Sequence, residues 1–162
     1  MLAKTYVESP IGRFELSGTK HGLQRVQLYQ GQPRATAELP APVAVAATQL
    51  QEYFAGKRQV FEVNIDWGAA TDFNQSVWRE LLKIPFGRTT SYSKIAHQID
   101  NPNAVRAVGL ANRNNPIAII VPCHRVIAKN GDLQGYFYGL DTKRYLLQLE
   151  NPMSFATQGS LF

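Results

Sequence analysis

The stretch SYSKIAHQIDNPNAVRAVGLANR, residues 91–113, decides how the second half of this chain is read. Ser91 is a good N-cap, and Tyr92, Ile95, Ala96 and Ile99 follow at helical spacing. Asp100-Asn101-Pro102 then breaks the pattern, and a second helix is predicted from about Asn103 to Arg113, to be ended by Pro116. Two short helices joined by a tight turn are the sequence form of a helix-turn-helix.

Working outward, Asp72 is expected to cap an earlier helix carrying Phe73, Val77, Trp78, Leu81 and Leu82, which stops before Pro85-Phe86-Gly87. Downstream, the apolar run Ile117–Val121 suits a buried strand. Val126-Ile127-Ala128 and Leu133-Gln134 flank Asn130-Gly131, the strongest short hairpin signal, and would make a wing. Asp141 is expected to cap a last amphipathic helix through Tyr145, Leu146 and Leu149 to Glu150, and the tail after Pro152 is expected to be loosely held.

Residues 1–70 read differently. Short strands are predicted around Thr5–Glu8, Arg13–Leu16 and Leu23–Tyr29, separated by Ser9-Pro10-Ile11-Gly12 and His21-Gly22. A proline-rich loop leads to a helix through Val43, Ala46, Leu50, Tyr53 and Phe54, with Gly56 at its C-terminal end. Phe61, Val63 and Ile65 alternate as a strand does. The expected fold class is therefore α+β, with a small α+β support domain at 1–70 and a winged helix-turn-helix domain at 71–162.

Composition narrows the function. Of 162 residues 44% are hydrophobic, as in a globular protein, and no apolar run approaches membrane-spanning length. The N-terminus is too quickly polar for a signal peptide, and a single cysteine cannot form an internal disulfide, so a reducing, cytoplasmic setting is expected. His21, His97 and His124 lack metal-ligand spacing, which predicts no metal site. The formal charge of +5 is uneven: residues 1–70 hold seven Lys/Arg against six Asp/Glu, residues 71–162 ten against six. Arg106, Arg113, Arg125 and Lys129 fall in a stretch without acids, a surface that attracts a polyanion. On this scaffold that polyanion reads as DNA.

The one candidate nucleophile is Cys123, in Pro122-Cys123-His124-Arg125-Val126. A lone cysteine by itself reads as an inert buried hydrophobe. This one follows an apolar run inside a basic stretch, where cations favour thiolate. It also neighbours an imidazole that a water could link to it.

This pentapeptide resembles the active-site motif of the O6-alkylguanine-DNA alkyltransferases, also called methylated-DNA–protein-cysteine methyltransferases. Its surroundings resemble the family too: Ser91-Tyr92, Arg106-Ala107-Val108-Gly109, Asn115-Pro116, Gly131-Asp132-Leu133-Gln134-Gly135-Tyr136, Gly139, Lys143, Leu146-Leu147 and Glu150. Ser9–Gly12 and Glu52–Arg58 are family-like in the first part. The resemblance implies a ribonuclease-H-like N-terminal domain and transfer of an alkyl group from O6 of guanine to Cys123, after the nucleotide is flipped out. It implies catalytic roles for Cys123, His124, Glu150, Tyr92 and Asn115: Glu150 orients His124, His124 deprotonates Cys123 through a water, Tyr92 donates a proton to the departing base, and Asn115 fixes the turn. Val126, Tyr136, Phe137 and Tyr138 are implied to line the base pocket. Arg106, Ala107, Gly109, Arg113 and Arg125 would contact double-stranded DNA through the minor groove, with Arg106 filling the vacated stack. Neither cofactor nor metal is implied, and a monomer is expected. Phe137-Tyr138 stands where many relatives carry small residues, which would favour methyl over bulkier adducts. A non-catalytic binder of alkylated DNA and a winged-helix transcription regulator are the alternative readings.

Overall fold

The computed structural model describes residues 2–131, 133 and 135–153, in two compact units. One comprises the chain up to Ala69 with Pro116–Ile120; the other comprises Ala70–Asn115 and the chain from Val121 onward.

The first unit is a three-stranded antiparallel meander, β1 (Ala3–Ser9), β2 (Gly12–Thr19) and β3 (Gly22–Leu28), in the order β1-β2-β3. Ser9 pairs with Gly12 across the first turn, where φ of +124° at position 12 favours glycine. Helix α1 (Ala41–Phe54) covers the sheet with Val43, Ala46, Leu50 and Tyr53, all buried, beside Phe14 and Leu16 of β2. On β2 the alternate residue Glu15 is also buried, with its carboxylate accepting from Tyr6 Oη at 2.9 Å and Gln27 Nε2 at 3.1 Å.

Two predicted strands of this unit are absent. Phe61–Ile65 keeps its period-two burial, yet only Ile65 bridges Leu23. The Gln49 side chain supplies a substitute partner, accepting from Glu62 N at 2.8 Å and donating to Glu62 O at 3.3 Å. Residues 117–121 are buried as expected, but they make one bridge, Ile117 to Val26, and then a turn with Ile119 at φ +69°. Pro116–Ile120 thus packs with the first unit, whereas the sequence reading placed it in the second.

The second unit carries α2 (Asp72–Leu81), α3 (Tyr92–Gln98), α4 (Val105–Arg113) and α5 (Leu140–Glu150). Thr71, rather than Asp72, caps α2, its hydroxyl accepting from Asn74 N at 3.2 Å. Ser91 caps α3 as predicted. Asp100, at φ +59°, turns the chain toward α4, and Trp78 Nε1 donates to Ala111 O at 2.8 Å, tying α2 to α4. Gly139 occupies the cap of α5 without a side-chain bond, and Asp141 lies in the first turn, where its charge favours the helix dipole.

The predicted wing falls partly outside the described residues. The turn at Asn130-Gly131 exists, with Gly131 N donating to Ala128 O at 2.8 Å. However, β5 (Val126–Ile127) pairs in parallel with β4 (Thr90–Ser91), and no hairpin forms among the described residues. Leu133 packs instead on Ile127 and Leu147; Gln134 and the tail from residue 154 lie outside the described residues. No helix among the described residues is long and apolar enough to cross a membrane.

Candidate active site

Pro122 leads into one 3₁₀ turn, Cys123–Arg125, where the second unit concentrates its buried polar groups. Two asparagines from the end of α4 hold this turn. Asn115 Nδ2 donates to Val121 O at 2.8 Å, and Asn112 Nδ2 donates to Cys123 O at 3.3 Å. The Cys123 residue is only 6% exposed. Burial pushes its thiol above the ordinary value, although hydrogen bonds from Asn115 and Tyr136 and the nearby Lys143 charge oppose that. The basic stretch was expected to favour thiolate, and Lys143 does so; desolvation outweighs it.

His124 is fully buried, with Nε2 2.7 Å from Glu150 Oε2. Arg125 closes on the same carboxylate from the other side, Nε donating to Oε1 at 2.7 Å and Nη2 to Oε2 at 3.0 Å. Burial alone would raise Glu150, but His124 and Arg125 hold it well below the usual carboxylate range, hence ionised. An ionised carboxylate only accepts, so His124 Nε2 carries the hydrogen. His124 Nδ1 is buried and has no hydrogen-bond partner among the described residues. Burial, joined by the Arg125 and Lys143 charges, keeps the imidazole below its ordinary value and therefore neutral near pH 7, despite Glu150. The turn thus provides a thiol beside a neutral base whose orientation is fixed from behind.

Tyr92, at the start of α3, is half-buried; burial raises its hydroxyl, and the Cys123 charge adds to this. A cleft of about 450 Å³ opens beside it, lined also by Val105, Arg106, Gly109, Arg113 and Gly135. A Cβ at Gly109 would lie 3.9 Å from the Tyr92 ring, so α4 approaches it closely here. Arg106, Ala107 and Arg113 are exposed along α4.

The structure therefore gathers Cys123, His124, Glu150, Asn115, Tyr92 and Tyr136 around one turn, and sets Arg106, Ala107, Gly109 and Arg113 on one helix. It separates others. Arg125, expected on the DNA-facing surface, is 6% exposed, bound to Glu150 and donating through Nη1 to Ile84 O at 2.7 Å. Val126, named for the base pocket, follows the turn directly; it is buried, and its carbonyl accepts from Lys143 Nζ at 2.6 Å. Phe137 is 61% exposed, while Tyr138 makes edge contacts with both Tyr136 and Phe137.

Sequence reasoning missed Asn112 and the part played by Lys143. The latter is fully buried, and desolvation pushes it down to about 8, against the raising effect of Cys123. A signal existed: Lys143, Leu146, Leu147 and Glu150 share one helical stripe, and charges on an apolar stripe call for buried partners. Nothing in the sequence singles out Asn112 from its neighbours. Among the described residues no cluster of His, Cys, Asp or Glu can hold a metal ion.

Known proteins resemble this chain over nearly its whole length. Residues 2–67 match the ribonuclease-like domain of 6-O-methylguanine DNA methyltransferase, and residues 72–152 its DNA binding domain. The methylated-DNA–protein-cysteine methyltransferase of Methanosarcina acetivorans is 49% identical over 148 residues, covering 88% of this chain and 94% of the relative. That of Mycobacterium tuberculosis is 49% identical over 148 residues, covering 89% of each. Among solved structures, the O6-methylguanine methyltransferase of Mycobacterium tuberculosis superposes with a TM-score of 0.82 at 44% identity, covering 98% of both chains. Mycobacterium tuberculosis OGT in complex with DNA gives 0.80 at 47% identity, covering 91% of both. Matched across both parts and at nearly half identity, the chain belongs to the 6-O-methylguanine DNA methyltransferase family.

Proposed function

We propose that this protein repairs DNA by moving the alkyl group from O6 of guanine, and more weakly from O4 of thymine, onto Cys123 in a single irreversible turnover. The observation that carries the reading is Cys123 next to the buried His124–Glu150 pair, with Tyr92 close enough to interact with the Cys123 charge and lining the cleft beside α4. Relatives are named methylated-DNA–protein-cysteine methyltransferases, and one was crystallised with DNA.

The chemistry follows from the groups present. His124 Nδ1 takes the thiol proton through a bridging water. The sulfur attacks the alkyl carbon, a C–S bond forms, and the C–O6 bond breaks with its electron pair passing to the purine. Tyr92 donates a proton to N3 of the leaving base, so no free anion departs. The resulting thioether has no route back, which makes the turnover single and removes any need for a cofactor. The target is buried in the duplex, so the nucleotide is flipped at a cost of a few kcal/mol. Arg106 fills the gap while Ala107, Gly109 and Arg113 bring α4 against the minor groove. The segment 1–70 supports the domain 71–162, and the monomer acts in the cytoplasm on chromosomal DNA. Because Phe137 is largely exposed, Tyr138 beside Tyr136 is the residue left to restrict bulky adducts.

Duplex DNA carrying labelled O6-methylguanine tests this. One label per protein on the Cys123 peptide is expected, and none in Cys123→Ser, which should still bind DNA. Tight binding without transfer supports a non-catalytic damage binder, and indifference to the lesion supports a transcription regulator.

A further inference from the structure

We propose that Arg125 is a positioning residue of the transfer reaction: by gripping both oxygens of Glu150 it fixes His124 with Nε2 donating and Nδ1 left as acceptor for the Cys123 proton. The inference rests on the transfer reading above and deepens it.

The geometry is specific to a guanidinium. Nε and Nη2 form a fork on the two carboxylate oxygens, Nη1 bonds the Ile84 carbonyl, and the cation lies 5.8 Å over the Phe86 ring. Four separate contacts therefore hold one side chain in place, and the carboxylate it grips is in turn held at one angle to His124. A lysine has the charge but not the planar fork.

The grip also divides the carboxylate's charge. Glu150 facing His124 alone draws the imidazole toward its protonated form, against the burial that disfavours it. The charges facing His124 are Glu150 and Lys143 from α5, and Arg125 from its own turn. Helix α2, also packed on this turn, turns Val77, Trp78 and Leu81 inward, while its Arg79 and Glu80 bond Gln75 and Lys83. Arg125 thus offsets Glu150 and helps keep the imidazole available. Removing Arg125 makes His124 hold a proton to higher pH, so the acidic limb of the transfer rate must move upward.

Transfer rates from labelled duplex should be measured between pH 5.5 and 9 for the full chain, Arg125→Met and Arg125→Lys, a range set by roughly the ordinary histidine value. In Arg125→Met the acidic limb is expected to rise by about one pH unit, a tenfold loss at the foot of the limb that recovers on its plateau. In Arg125→Lys, which restores charge without the fork, the limb should return toward wild type while the plateau rate stays reduced, and a plateau at the wild-type rate would overturn the role of the fork. Loss by one factor at every pH would mean a purely structural role and overturn the proposal, as would an unmoved limb. Should Arg125→Met not fold, ¹⁵N spectra of His124 in the wild type decide: the neutral Nε2–H tautomer across neutral pH is expected, and an Nδ1–H tautomer or an imidazolium overturns it. A wild type that transfers at no pH would instead sink the transfer reading itself, whatever the tautomer.

Discussion

Two arginines nineteen residues apart, Arg106 and Arg125, have the same chemistry and opposite surroundings. Arg106 stands exposed on α4 at the mouth of the cleft. Arg125 is enclosed, with each of its three guanidinium nitrogens bonding an oxygen of Glu150 or Ile84. A cation at the surface keeps its hydration and remains free to exchange counterions for phosphates. A cation in the interior is stabilised only by its partners, and it fixes them in return. The difference teaches that the basic surplus of the second unit comprises two populations. One faces solvent, open to a polyanion; the other is locked against Glu150 in the turn that carries Cys123 and His124.

The largest test of this division is Glu150→Gln. Breaking one side of a buried pair leaves Arg125 uncompensated, and the expected loss is roughly 3–5 kcal/mol in urea unfolding at pH 7. The pH dependence carries a sign. Glu150 is held below its ordinary value in the folded chain, so its stabilisation is complete above the unfolded value of about 4.3 and is lost as pH falls through and below it. The wild type should therefore lose stability between about pH 4.5 and 2 more steeply than Glu150→Gln. Parallel curves would show that the interior network contributes no such linkage.

A smaller effect is expected on the outer side. Arg106→Ala removes no buried partner, so stability should move by less than about 0.5 kcal/mol. Repair in duplex should slow by roughly tenfold, about 1.4 kcal/mol of barrier, while transfer from the free modified base stays unchanged. An equal slowing of both substrates would place Arg106 among the groups that act on the thiol rather than on the duplex, and the division drawn here would fail.

The helix-turn-helix was legible because its signals are local. Ser91 caps, Pro102 interrupts and Pro116 terminates, each through its own backbone chemistry within a few residues. The cysteine motif was legible through resemblance. What could not be read depended on distant partners. Arg125 finds its carboxylate twenty-five residues away on α5, so its charge alone placed it on the wrong face. Phe61–Ile65 had the period of a strand, but it joins β3 only around Leu23, and the backbone bonds of Glu62 go to the Gln49 side chain. Asn130-Gly131 did turn the chain, yet β5 found its partner in β4, thirty-six residues earlier in register. Turn chemistry specifies a bend; it does not specify what the following segment pairs with.

The finest test compares charge for charge. Arg113 lies exposed on α4, on the same helix as Arg106. Arg113→Gln should weaken DNA binding only a few-fold at moderate salt, because one phosphate contact is a minor part of such an interface. Its signature is the salt dependence. One fewer neutralised phosphate should reduce the slope of log K against log salt by roughly 0.9. Arg125→Met removes the same formal charge and should leave that slope unaltered in the folded fraction, since a guanidinium closed around Glu150 displaces no counterion. A slope changed equally by both substitutions would mean that the interior arginine reaches the DNA after all. A slope changed by neither would remove Arg113 from the phosphate-contacting face. Affinity alone cannot separate these outcomes, because a destabilised turn and a lost phosphate contact both weaken binding, while only the second alters how binding responds to salt.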